Sequence, residues 1–272
     1  MTTTIELQPV EERGWRMGLA NLLRKEMKQW WATRRWLIQS LLWILIINGF
    51  MAFVLFVMPI MMERMPDAAS ERLDIIQAAV SALFQIGMIG TAIGTIILGQ
   101  DLVLPERQSG ISEWILSKPV SRRSYILSKF FANAVSILVT FVGIPCALGY
   151  VLFALKLGAP VPLSPYLLGV GAMALHTLFY LNLTLMMNVV AKSRSVVLGI
   201  AMGVLFGGML LPNLGVVTLS SLTPWLLPNL PAGIIPDVNI ELSFLMIPLL
   251  FTGIWSILFV FIALWKMERL EF

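Results

Sequence analysis

The stretch QDLVLPERQSGISEWILSKPVSRRSYILSK, Gln100 to Lys129, lies between IIQAAVSALFQIGMIGTAIGTIILG (Ile75–Gly99) and FFANAVSILVTFVGIPCALGYVLFA (Phe130–Ala154). The two flanks contain no Asp, Glu, Lys or Arg, whereas the interval between them carries eight. Each flank exceeds the roughly 20 helical residues needed to cross a hydrocarbon core of about 30 Å. The pattern therefore predicts two membrane-crossing helices joined by a short, charged loop.

Four further stretches have the same uncharged, apolar character: Trp36–Met58, Tyr166–Val190, Val196–Leu219 and Leu242–Trp265. Backbone amides cannot be left unpaired in lipid, which makes these segments helices, and the alternating ten-residue pattern of a membrane barrel is not seen. Composition agrees, with 58% hydrophobic and 12% charged residues and a mean hydropathy of +0.86, outside the range of soluble domains. The expected fold is an all-α integral membrane protein, one transmembrane domain over 1–272. It has a flexible start at 1–11, an amphipathic interfacial helix at 12–35 and six transmembrane helices.

The basic residues are divided unequally between the loops. Arg13, Arg16, Arg24, Lys25, Lys28, Arg34 and Arg35 precede the first span, and Arg107, Lys118, Arg122, Arg123 and Lys129 lie in the second loop. Lys192 and Arg194 follow the fourth span, and Lys266 and Arg269 end the chain, leaving only Arg64, Arg72 and Lys156 for the opposite side. This imbalance predicts that both termini and the second and fourth loops face the cytoplasm, in a multi-pass protein of the cytoplasmic (inner) membrane. The pI near 9.4 then reports topology, and a nucleic-acid partner is not expected. The early apolar run of a signal peptide is lacking. The single Cys146 allows no intrachain disulfide and reads as a small packing residue.

Residues 12–35 place Trp15, Leu19, Leu22, Leu23, Met27, Trp30 and Trp31 at helical spacing, opposite Lys and Arg. Such a helix suits the inner headgroup layer, and the indoles of Trp30, Trp31 and Trp36 fall at the depth they prefer. The last loop, about Ser220 to Glu241, bears four prolines in TPWLLPNLPAGIIPDVN. Prolines forbid one long helix there, so the expectation is short helical pieces forming an outward-facing cap or re-entrant element. Gly90-x-x-x-Gly94 and Gly199-x-x-x-Gly203-x-x-x-Gly207 allow close helix approach in a tight bundle, and Pro145 should kink the third span.

Polar side chains inside the spans fall into two stripes. Gln77, Ser81 and Gln85 recur every four residues in the second span, and His176, Tyr180, Thr184 and Asn188 do so in the fourth. Facing lipid would cost energy, so both stripes should face other helices or a cavity. Interhelical hydrogen bonding and the lining of a transport pathway are the two readings. Enzyme chemistry finds little footing: one His and one Cys cannot build a His-rich zinc site, and H-E-x-x-H and G-x-S-x-G are absent. The phosphate-binding G-x-x-x-x-G-K-[ST] is also absent, so any ATP-driven work requires a nucleotide-binding partner chain.

Within the second loop, Gln108–Ser109–Gly110 should break the helix, Ile111 to Ser117 should form a short one, and Lys118–Pro119 should stop it. Ser121 suits the N-cap of the third span. A short helix bearing Trp114, Ile115 and Leu116 beside Glu113 is apolar for a cytosolic segment, and so should rest on the bilayer or fit a partner's groove.

The segment ERQSGISEWILSKPVSRRSYILSKF resembles the corresponding loop of type 2 ATP-binding-cassette (ABC) permeases at Glu106, Arg107, Gly110, Glu113, Leu116, Pro119, Val120, Ser121, Arg122 and Lys129. Leu23-Arg24-Lys25-Glu26 is similar to that family's opening helix. Departures are Ile111, where Thr is usual, and Trp114–Ile115, where smaller residues or leucine are common. The resemblance implies a permease subunit, an exporter, pairing with an identical or related second permease subunit. It also implies two cytoplasmic ABC ATPase subunits that bind ATP and Mg, with no cofactor in this chain. The loop helix would be the coupling helix, with Glu106, Arg107, Gly110, Glu113, Trp114, Leu116, Pro119 and Arg122 as ATPase-coupling residues. Two other classes compete: a non-transporting mechanotransmission or scaffold subunit, and a secondary transporter. The lack of intramembrane charge and of an evident inverted repeat counts against the second.

Overall fold

The apolar periods of the chain are realised entirely as helix in the computed structural model, which describes residues 14–64, 75–210, 215, 217–234 and 242–270. The expected flexible start at 1–11 and most of the acidic loop at 59–74 lie outside these residues. Five stretches are long and apolar enough to cross a membrane: Arg35–Glu63, Ile75–Gln108, Arg122–Leu157, Leu163–Val190 and Met246–Glu268. They match the first four expected spans and the sixth. Of the expected fifth span, the described residues show a helix of 17 residues at Arg194–Leu210, about 26 Å long at 1.5 Å per residue. Positions 211–214 lie outside the described residues.

We number the helices α1 (Leu19–Trp31), α2 (Arg35–Glu63), α3 (75–99), α4 (Leu104–Gln108), α5 (Ile111–Leu116), α6 (Arg122–Leu157), α7 (Leu163–Val190), α8 (Arg194–Leu210), α9 (Val217–Ser221) and α10 (Leu242–Glu268). A turn of 3-10 helix, Gly14–Arg16, precedes α1, and a longer 3-10 segment, Pro224–Ile234, lies between α9 and α10. That segment contains Pro228 and Pro231, in keeping with the expectation of short helical pieces in the proline-rich loop. It packs against α7 and α10.

Helix α7 is the axis of the bundle, in contact with α3, α8, α10 and the Pro224–Ile234 segment. Around one side of it, Trp43, Leu55, Leu83, Phe84, Phe141, Phe153 and Met173 form an apolar core from α2, α3, α6 and α7. Cys146 belongs to this core, its sulfur 3.8 Å from that of Met173. A π-helical turn, Leu138–Gly143, lies just before Pro145. A proline supplies no N–H and crowds the preceding turn, and a wide turn absorbs the misfit. Asn48 of α2 donates to the Pro145 carbonyl at 2.9 Å, tying the two helices together.

The first glycine pair receives an aromatic ring. Trp43 of α2 lies against Gly90 and Gly94, and a Cβ at Gly94 would come within 2.2 Å of its indole and 3.0 Å of the Phe141 ring. The two rings stand 4.8 Å apart. Around Gly199, Gly203 and Gly207, by contrast, nothing lies within 4 Å of an added Cβ. Gly94→Ala should therefore lower stability by about 1–3 kcal/mol through overpacking, while Gly203→Ala leaves it unchanged. The thermal midpoint of the purified chain in detergent checks both, and equal midpoints would refute the indole packing.

Candidate functional site

At the end of the bundle carrying the charged loop, Gly99 closes α3 and the chain turns into α4 and α5 before entering α6. Gly110 joins α4 to α5 with φ +74°, a left-handed conformation that glycine adopts without the Cβ penalty. Ser121 caps α6: its hydroxyl accepts the Ser124 N–H at 3.0 Å. The 14–18 segment docks on this corner, where Ser121 and Ser124 both donate through their hydroxyls to the Trp15 carbonyl.

A cluster of four charges holds the loop to α1. Lys129 Nζ lies 3.3 Å from Glu26 of α1 and 3.1 Å from Glu106 of α4. Lys25 reaches the same two carboxylates at 3.7 and 3.6 Å, and the Tyr125 hydroxyl donates to Glu106 at 2.6 Å. The side chains of Lys129 and Glu26 are only 4% and 6% exposed. Ions this deep persist because each is paired and hydrogen-bonded. Trp30, one turn along α1 from Glu26, is also buried and donates to Asn133 of α6 at 2.9 Å. The inner face of α1 therefore meets α6 through a charge pair and an indole, a mixed surface where the periodicity alone suggested an apolar one.

The eight candidate coupling residues divide by direction. Glu106, Arg107 and Arg122 turn inward. Arg107 donates to the carbonyls of Asn188 and Val189 at 2.9 and 2.8 Å, closing the free end of α7. Arg122 donates to the Glu268 and Leu270 carbonyls at 2.8 and 2.6 Å, doing the same for α10. Guanidinium groups suit these positions because the last carbonyls of a helix lack intrahelical donors and carry partial negative charge. Arg123 adds an ion pair with Glu268. Glu113, Trp114 and Pro119 are exposed, and Gly110 and Leu116 are half-buried. Trp114 is 65% exposed, with the Lys118 ammonium 5.0 Å from its ring centre, and Ile111 stands out beside it at 46%. Ser112 and Ile115 face inward, Ile115 joining Val103, Tyr125, Ile126, Leu185 and Val189.

The α7 stripe also divides. Asn188 takes four hydrogen bonds: its oxygen accepts from Val103 N and Leu104 N at 3.2 and 3.1 Å, and its nitrogen donates to Gly99 O and Thr184 O, both at 2.8 Å. Thr184 donates to the carbonyls of its own helix and packs on Gly99, where a Cβ would meet its hydroxyl at 2.4 Å. His176 and Tyr180 instead line a cavity of about 250 Å³ with Gln85, Ile89, Leu205, Gly208, Met209, Trp225, Pro228 and Asn229. Of the α3 stripe, Gln85 reaches this cavity, while Gln77 is exposed and Ser81 half-buried away from it.

An all-helical bundle with long apolar helices and this charged loop can be set against known families. The sequence model described as "ABC-2 family transporter protein" matches residues 20–249. The chain belongs to the ABC-2 transporter family. No curated protein matches it. Membership makes it a multi-pass membrane subunit of an ABC transporter and implies association with a separate ABC ATPase subunit. In this ABC-2 chain, sequence reasoning passed over Glu26, Lys129 and Ile111 as site residues, and Trp225 and Asn229 as cavity walls. The first two carried a signal: charges facing inward at helical spacing. The cavity walls come from a proline-rich loop whose position no local pattern specifies.

Proposed function

We propose that this ABC-2 chain is the permease subunit of an exporter, with α5 as its coupling helix. In this reading Arg194–Leu210 completes six spans, and the termini and the 100–129 loop face the cytoplasm of the inner membrane. Helix α1 lies at the interface as an amphipathic element. Two such subunits, identical or related, dock two ATPase subunits that bind ATP and Mg.

The observation that carries the reading is the outward set Ile111, Glu113 and Trp114 on a short helix, with Lys118 just past its end, whose other face is locked into the bundle. An exposed indole and isoleucine rimmed by charges match the anchor-and-rim composition of a protein interface. Force applied to α5 passes along three routes: through Ile115 to α6 and α7, through Arg107 to the end of α7, and through Arg122 to the end of α10. A push from the ATPases thus reaches the bases of three spans together. Gln85, His176 and Tyr180 would then line part of the pathway, while Thr184 and Asn188 brace it.

The test is co-purification of the ATPase with the full-length chain and the ATP turnover it supports. Glu113→Arg together with Trp114→Ala should weaken association by about 30-fold, the equivalent of roughly 2 kcal/mol for a central aromatic anchor. The folded permease is retained, since neither side chain is buried. Unchanged association and turnover would remove α5 from the coupling role.

A further inference from the structure

The outer face of α1 carries charge that nothing in the described fold compensates. Its inner face meets α6 through Glu26 and Trp30, both buried. On the opposite side Asn21, Arg24, Lys25, Lys28, Gln29 and Thr33 line a shallow, open hollow. Lys25 is turned partly toward Glu26 and Glu106, at 3.7 and 3.6 Å. Arg24 and Lys28 are exposed, and among the described residues neither forms an ion pair. They stand four residues apart on one helix, a spacing at which like charges repel. An anion held between them removes that repulsion, and a guanidinium fork matches the oxygens of a phosphate.

The surroundings of the hollow favour a lipid headgroup over a protein. Arg24, Lys28 and Trp31 recur at i, i+4 and i+7, along one face of α1. Trp31 is exposed and stacks on Trp36, the ring centres 6.0 Å apart. Beyond Trp36 the outer surface of α2 continues with Leu37, Ile38 and Leu41, all exposed apolar side chains. The two cations therefore stand beside an indole pair at the edge of an apolar belt, the depth at which a bilayer places its phosphates. Trp114 of α5 is different, being flanked by Glu113 and Lys118, charges of both signs. Cations of a single sign beside tryptophan suit an anionic leaflet, whose surface potential attracts them.

We propose that Arg24 and Lys28 form a binding site for the phosphate headgroup of an anionic phospholipid. Asn21 and Gln29 add donors to the phosphate, and Trp31 packs toward the acyl chains. The inference rests on the placement of α1 at the membrane interface given above, and is independent of ATPase docking on α5.

The full-length chain, purified in nonionic detergent, would be given equimolar phosphatidylglycerol and phosphatidylcholine, and the lipid retained per chain counted by native mass spectrometry. Phosphatidylglycerol should be retained in preference. Arg24→Gln with Lys28→Gln should weaken that retention about 25-fold, from roughly fivefold per charge near an anionic surface. Phosphatidylcholine retention and the thermal midpoint in detergent alone should not change, since both side chains are exposed. Removing two charges elsewhere at this end of the bundle, by Lys118→Gln with Lys192→Gln, should leave the preference intact. Undiminished phosphatidylglycerol retention by the Arg24 and Lys28 variant overturns the proposal. An equal loss in the Lys118 and Lys192 variant overturns it too, by reducing the effect to net charge. Displacement of the lipid by millimolar inorganic phosphate would replace it with a free-anion site. Intact lipid preference with lost ATPase co-purification in the Arg24 and Lys28 variant would give this face to the protein partner instead. Glu113→Arg with Trp114→Ala should weaken ATPase association yet keep the lipid, so the two readings fail separately.

Discussion

Replacing Lys129 by Met should destabilise the chain by about 3–5 kcal/mol, the range measured when one partner of a buried ion pair is removed. The ammonium is 3.3 Å from Glu26 and 3.1 Å from Glu106, and methionine preserves most of the volume while removing the charge. Glu26, 6% exposed, would then keep only Lys25 at 3.7 Å, a side chain that is itself 44% exposed. The thermal midpoint in detergent should fall sharply, and α1 should become susceptible to proteolysis because the pair is its main polar bond to α6. Adding Glu26→Gln to Lys129→Met removes the stranded carboxylate and should recover a large part of the loss. A midpoint unmoved by the single substitution would mean that water already solvates the cluster.

Asn188→Leu should cost about 2–6 kcal/mol and act on assembly of the fold, with any transport defect secondary. The side chain satisfies two backbone N–H groups at the start of α4 and two carbonyls, on α3 and α7. Leucine leaves the Val103 and Leu104 N–H groups unpaired, each at roughly 1–3 kcal/mol, while the Gly99 carbonyl keeps the Leu102 N–H at 3.3 Å. Expression level and thermal midpoint should both drop, and they separate this residue from Tyr180, four residues back in chain from Thr184. Tyr180→Phe removes one hydroxyl, whose side-chain partner is Trp225, and should leave the midpoint nearer that of the parent. Similar midpoints for the two variants would return Asn188 to the candidate lining.

That contrast shows how far periodicity can be read. Spacing of four residues put His176, Tyr180, Thr184 and Asn188 in one stripe and required that they face protein. It could not distinguish the two that meet a cavity from the two that meet the loop, because the identity of the opposing surface is long-range information. Gly99 fits against Thr184 and Trp225 against Gly208 only after the helices have packed. The loop behaves the same way. Its local conformation follows from turn chemistry: Gly110 supplies the left-handed residue, and the Ser121 hydroxyl caps α6. Yet Glu106, Arg107 and Arg122 resemble Glu113 as surface charges in the chain, and turn inward because two helix ends and a buried lysine lie within their reach.

By itself the amino-acid sequence determined that the chain is helical and membrane-embedded, and where its charged loop lies. These properties depend on local quantities: apolar length against bilayer thickness, backbone hydrogen bonding in lipid, and turn residues. Only the tertiary structure decided which loop charges brace the bundle and which stand free for a partner. It also brought Trp225 to the same cavity wall as His176 and Tyr180, more than forty residues away in the chain. Burial, pairing and shape are properties of surfaces in contact, and those surfaces exist only once the helices have met.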